Sequence, residues 1–171
     1  LSKHFTVVTY DLRGHGKSSV THKNFTLDEL VLDLEKIREK IKFEKAHFAG
    51  HSLGGMIAPA YALKFPEHTI SVGLLSTVAG RSEEDSQKVW KVIHEMEKNG
   101  IEKTLQTLTN RWFTDEFIKN NPDLVERRLK QVVDTDPEVF LNVFKIYAKT
   151  EMLPWLKNIS KPCLLLTGEH D

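Results

Sequence analysis

Gly50-His51-Ser52-Leu53-Gly54-Gly55 is the stretch on which the reading of this chain turns. It follows a short apolar run, Ala46-His47-Phe48-Ala49, and leads into a small-residue stretch containing Ala58, Ala60 and Ala62. A strand that turns sharply into a helix needs glycines where a Cβ would strike neighbouring backbone, and Gly50 and Gly54 flank Ser52 at that spacing. Such a turn exposes the serine hydroxyl at the edge of a sheet. It also aims N–H groups of the helix N-terminus at whatever the serine attacks. Ser52 is therefore a candidate nucleophile. The plainer alternative is a solvated serine in a glycine-rich turn; the short apolar strand before it and the small-residue helix after it favour the first reading.

Working outward, strands and helices alternate. Phe5 to Tyr10 reads as a strand and runs into a glycine-rich turn, Asp11-Leu12-Arg13-Gly14-His15-Gly16-Lys17-Ser18-Ser19. Thr26 with Glu29 three residues on has the form of a capping box, and Phe25 and Leu30 are placed as a hydrophobic staple. Leu27, Leu30, Val31, Leu34, Ile37 and Ile41 then recur at helical spacing. The turn at Ser52 leads to a helix over 56–64, closed by Pro66, and Thr69 to Leu75 reads as the next strand. This order predicts a mostly parallel α/β sheet.

From about Arg81 to Lys157 the rhythm breaks into amphipathic helices, predicted over 83–98, 101–108, 123–133 and 138–149, with Pro122 and Pro137 as punctuation. Cys163 to Thr167 reads as a late, buried strand. The expected organisation is a first part of the core over 1–80, a helical cap insert over 81–157 and a resumption of the core over 158–171. A strand-like run close to Leu1 and a stop just past a core strand make both ends look cut, so a segment of a longer protein is expected.

Composition narrows the function classes. The 24 Lys and Arg balance 24 Asp and Glu, which gives no electrostatic reason to expect nucleic acid or an anionic membrane as partner. No apolar run approaches the ~18 residues of a membrane span, and residues 1–4 lack a basic leader with an apolar core. The solitary Cys163 suits a reducing compartment, so a cytoplasmic protein is expected. A phosphate loop ending at Gly16-Lys17-Ser18 would need glycine where Asp11 stands, and a dinucleotide fingerprint from Gly14 would need glycine or alanine where Ser19 stands. His47 and His51 are four apart but span a strand and a turn rather than a helix, without a third ligand. Neither a metal nor a cofactor is expected.

Together the residues resemble the α/β-hydrolase fold superfamily. The resemblance rests on Asp11 to Ser18, on Gly50 to Met56, and on Pro162-Cys163-Leu164-Leu165-Leu166-Thr167-Gly168-Glu169-His170-Asp171, in the family's order. It implies Ser52 as nucleophile, the backbone N–H of Leu53 as one oxyanion donor and Asp171 as the triad acid. The triad histidine would follow Asp171, and the His-Gly loop with the second oxyanion donor would precede Leu1. None of the eight histidines here takes that place. Within the superfamily, the elbow continuing into Gly-Met-Ile-Ala, Arg111-Trp112-Phe113-Thr114 and the closing Gly-Glu-His-Asp are similar to 3-oxoadipate enol-lactonases. That likeness implies a small ester or lactone bearing a carboxylate, with Arg111 facing the carboxylate and Trp112 as an apolar wall. Other activities of the superfamily stay open: a general carboxylesterase, a carbon–carbon bond hydrolase or a cofactor-free haloperoxidase. If the natural chain ended at Asp171, a non-catalytic hydrolase-like binding module would be the remaining reading.

Overall fold

Three parallel strands carry the chain's one described sheet, in the order β1 (Ala46–His51), β2 (Thr69–Leu75), β3 (Cys163–Leu166). The computed structural model describes residues 1–170, with Gln106 described by its backbone. Helix α1 (Leu27–Lys40) precedes β1, and α2 (Gly54–Lys64) crosses from β1 to β2. Five helices then intervene: α3 (Glu83–Asn99), α4 (Ile101–Trp112), α5 (Asp115–Asn120), α6 (Pro122–Val133) and α7 (Pro137–Lys149). A short α8 (Leu153–Leu156) leads back to β3.

Local chemistry accounts for the helix ends. The Thr26 capping box is present in both directions, with Asp28 and Glu29 in the first turn of α1 and Arg38 and Lys40 in the last, matching the helix dipole. Ser82 caps α3 by accepting from the Asp85 N–H, and Gly100 ends it at a φ of 84°. Asp136 accepts from the N–H groups of Glu138 and Val139 to start α7, with Pro137 in its first turn. Pro66 does close α2, by starting a single 3-10 turn over Pro66–His68.

Apolar burial forms two clusters. The first joins α1 (Leu30, Val31), β1 (Phe48), α2 (Met56, Ile57, Tyr61) and β2 (Val72, Leu74). The second lies among the intervening helices, with Val92, Ile93 and Met96 of α3, Leu108 of α4 and Val132 of α6. Helix α7 serves both: Val139 and Ile146 enter the first, Phe140 and Ala148 the second, and Tyr147 packs against each. A buried polar knot ties α1 to α2. Arg38 donates two hydrogen bonds to Glu35, at 2.8 and 2.6 Å, and the Tyr61 hydroxyl donates to the same carboxylate. The Arg38 guanidinium, above all, holds the Glu35 carboxyl down at about 2, while burial pushes the Tyr61 phenol up.

Two sequence expectations are corrected here. Residues 5–10 form no strand: the Phe5 ring packs edge-on against His47 of β1, and Thr6, Val8 and Tyr10 line a cavity of about 330 Å³ together with His47, Phe48 and Ala49. A strand exists only through its ladder partner, and none lies within hydrogen-bonding distance among the described residues. The late strand over 163–166 is present but exposed throughout, with Leu164, Leu165 and Leu166 57%, 72% and 56% accessible. It is paired by β2 on one edge, and nothing described covers its faces or its other edge. Lesser differences are at element ends: α2 begins at Gly54, α3 runs to Asn99, α4 to Trp112, α6 and α7 each begin at their proline, and α5 was not foreseen.

Candidate active site

Ser52 occupies a one-residue kink between the end of β1 and the start of α2, with φ at 54°. That left-handed conformation is costly for a residue with a side chain, and surrounding bonds hold it there. The Ser52 N–H donates to the Leu75 carbonyl of β2 at 3.0 Å. Its own carbonyl accepts from the Gly55 N–H at 2.9 Å and from the Thr77 hydroxyl at 2.8 Å. Sequence reasoning missed Thr77, because nothing local marks a threonine two residues past a strand as a brace for a turn 25 residues earlier.

The glycines around the kink differ in their reasons. A Cβ on Gly50 would lie 2.1 Å from the Gly54 carbonyl carbon and oxygen, so backbone crosses backbone there and only glycine fits. A Cβ on Gly55 would meet the Thr77 side chain at 2.6 Å. Gly54, expected from the pattern to be sterically required, has nothing described within 4 Å of its would-be Cβ. It sits at the open start of α2, where the close approach is made by its own backbone against Gly50.

Leu53 follows the kink with helical φ and ψ of −57° and −37°. Its side chain is buried, and among the described residues its N–H has no acceptor, unlike those of Gly55, Met56 and Ile57. A free N–H at the start of a helix is a donor suited to negative charge placed beside it. Ser52 itself is half-buried, and no described side chain hydrogen-bonds to its hydroxyl.

The described histidines do not serve Ser52. His15 Nδ1 lies 3.1 Å from the Arg13 carbonyl, His47 Nδ1 2.7 Å from the Ser71 hydroxyl, His68 Nδ1 3.0 Å from the Glu44 carbonyl, and His22 pairs with Glu29 at 2.8 Å. His94 packs on Trp90, and His4, His51 and His170 are exposed. Asp171, the candidate triad acid, lies outside the described residues. Among the described residues no three His, Cys, Asp or Glu side chains group as a metal would require, and no helix is long and apolar enough to cross a membrane.

The glycine-rich turn over 11–18 is tied to itself and to α1. Arg13 grips Asp33 with two bonds, at 2.7 and 2.8 Å, reaches Glu29 at 3.1 Å and lies over the Phe25 ring. Ser18 donates to the Asp11 carbonyl at 2.6 Å, and Gly14, at φ 71°, packs against Val139 of α7. The arrangement anchors a loop; it leaves no nest of free N–H groups at a helix start, since α1 begins only at Leu27.

The structure places Arg111 on the exposed side of α4, in a groove between α3 and α4 that Lys88, Lys91 and Lys103 also line. Trp112, next in the chain, is half-buried against the second apolar cluster, with the Arg128 guanidinium 5.1 Å from its ring. No described contact joins either residue to Ser52.

A strained serine kink of this kind, on a parallel sheet and followed at once by a helix, agrees with comparison to known proteins. The family model described as alpha/beta hydrolase fold matches residues 1–171, the whole chain. The chain belongs to the α/β-hydrolase fold family. It is 33% identical over 172 residues to the protein named 3-oxoadipate enol-lactonase 1 of Acinetobacter baylyi, with all of this chain and 63% of that protein covered. A solved hydrolase from Pseudomonas aeruginosa is 26% identical with a TM-score of 0.82, over 93% of this chain and 60% of that one. The crystal structure of the enol-lactonase from Burkholderia xenovorans has a TM-score of 0.83 at 24% identity, over 94% of this chain and 61% of that one, and speaks for the fold. The α/β-hydrolase chain thus spans a little over three fifths of the length of the relatives it matches.

Proposed function

We propose that this chain is the nucleophile-bearing part of a serine hydrolase that opens a carboxylic ester or lactone through an acyl-enzyme. The observation that carries the reading is the Ser52 kink at φ 54° with the free N–H of Leu53 beside it. Ser52 Oγ attacks the carbonyl carbon while a histidine from the remainder of the full-length protein takes its proton. The Leu53 N–H donates to the oxyanion; one such donor is worth about 3 kcal/mol of transition-state stabilisation. Asp171 orients the histidine and stabilises its charged form. The tetrahedral intermediate collapses as the protonated histidine gives its proton to the leaving oxygen, which in a lactone stays tethered as the ring opens, and water, deprotonated by the same histidine, then hydrolyses the acyl-Ser52.

For substrate, the reading is a lactone or ester that carries a carboxylate, supported by the likeness to a protein named 3-oxoadipate enol-lactonase 1. Helices α3–α7 act as a cap over the site, Arg111 meets the carboxylate and Trp112 supplies an apolar wall. A cytoplasmic setting suits the exposed thiol of Cys163. The test is Ser52→Ala in the full-length protein, assayed on lactones and aryl esters. Turnover should vanish while substrate still binds; retained turnover would remove Ser52 from the mechanism.

A further inference from the structure

The core and the intervening helices meet at a neck made of two arms. The outgoing arm leaves β2 beside the nucleophile: Leu75 accepts from the Ser52 N–H, and Thr77 donates to the Ser52 carbonyl. The incoming arm follows α7. Met152 and Leu153 both donate their N–H groups to the Ala79 carbonyl, at 2.8 and 2.9 Å, and Gly80 lies so close to Leu153 that a Cβ there would come within 2.3 Å of it.

Arg81 sits where these arms meet the helices. Its Nη1 donates to the Thr150 carbonyl at 3.2 Å and faces the Glu151 carboxylate at 3.4 Å, and its guanidinium lies 4.3 Å from the Tyr147 ring. The side chain is 3% exposed, yet Nη2 has no hydrogen-bond partner among the described residues. Burying a guanidinium with one arm unmet is costly. An apolar side chain of the same length would be the better choice for stability alone. What the guanidinium supplies instead is direction: its fixed fork contacts one carbonyl, one carboxylate and one ring, and these coincide in a single register of the two arms.

We propose that Arg81 is a positioning residue that sets the register of helices α3–α7 against the loop bracing Ser52. The proposal rests on the serine hydrolase reading for its kinetic consequence, but not for its structural one. Tyr147 transmits the register, because it packs against both apolar clusters while its ring receives Arg81. Sliding of the helices would alter the part of the substrate pocket made by the cap and leave the kink itself intact.

The experiment compares wild type, Arg81→Met and Arg81→Lys in the full-length protein. Three quantities are read: the melting temperature, amide exchange, and kcat and KM on p-nitrophenyl acetate and on a longer carboxylate-bearing aryl ester. For Arg81→Met the melting temperature should be unchanged or higher, and exchange over residues 147–153 should quicken while α1 and α2 stay as in wild type. KM for the long ester should rise about tenfold, with acetate turnover within about twofold of wild type, the pattern of a lost binding surface. Arg81→Lys, which keeps the charge without the fork, should recover only part of the KM. Equal losses on both esters with a lowered melting temperature would overturn the proposal, because that is the signature of a plain structural contact. Unchanged exchange over 147–153 would overturn it too. If wild type turned over neither ester, the hydrolase reading would fail by itself, and the exchange result would still decide whether Arg81 sets the register.

Discussion

Replacing Gly50 by alanine tests how tight the turn at Ser52 is. The added Cβ would stand 2.1 Å from backbone atoms of Gly54, against a floor of 3.0 Å that real contacts respect, and neither partner is a side chain that can swing away. The strand end and the helix start must therefore separate by about 1 Å. Forcing extra volume into a packed site costs about 1–3 kcal/mol, and here the upper end applies because backbone must move. For a domain of this size that lowers the melting temperature by roughly 6–12 °C. The same shift moves Ser52 and the Leu53 N–H relative to each other, and misplacement of about 1 Å costs about a hundredfold in rate. The assay is a thermal melt and kcat/KM on an aryl ester, both with the full-length protein. Gly54→Ala is the control: nothing described lies within 4 Å of its Cβ, so stability should hold or rise by up to about 1 kcal/mol. If Gly50→Ala melts and turns over like wild type, or Gly54→Ala is the more damaging of the two, the close crossing of 50 and 54 is not what shapes the elbow.

The Glu35 carboxyl, held at about 2 by Arg38 against an ordinary value near 4.5, contributes stability that is present above pH 4.5 and lost as pH falls from there towards 2. Glu35→Gln should flatten that acid limb in melts taken across this window and, by leaving Arg38 half-paired, destabilise the protein by about 3 kcal/mol at neutral pH; an unchanged acid limb would show that the knot does not titrate as described. Arg111→Ala should weaken turnover of carboxylate-bearing lactones about tenfold while sparing neutral ones; equal losses on both would sink the clamp.

How much was legible in the sequence depended on whether the cause was local. The capping box at Thr26, the strand over 69–75 and the serine turn are set by residues within a few positions of one another, and each stands where the spacing put it. Residues 5–10 have the right residues for a strand but lack a described partner, and pairing is invisible in one segment's own sequence. The same holds for β3, whose leucines read as buried because apolar runs usually are, yet whose exposure is decided by what lies alongside. Thr77 and Arg81 were missed because their meaning arises only when the two arms of the neck come together. The sequence signals for α5, Thr114 followed by Asp115 and Glu116, were present and local, and Thr114 does cap it. Of the proposed triad, Ser52 was recognisable from its glycines, whereas Asp171, read from its place after the late strand and Gly168 as well as from the resemblance, lies outside the described residues.

The central claim, that Ser52 is an activated nucleophile, is tested most directly by treating the full-length protein with a fluorophosphonate and mapping the adduct by mass spectrometry. A single phosphonylated residue at Ser52, formed in step with loss of esterase activity and absent from Ser52→Ala, is the predicted result. Full activity with no adduct, or an adduct elsewhere that accounts for the inactivation, would contradict it.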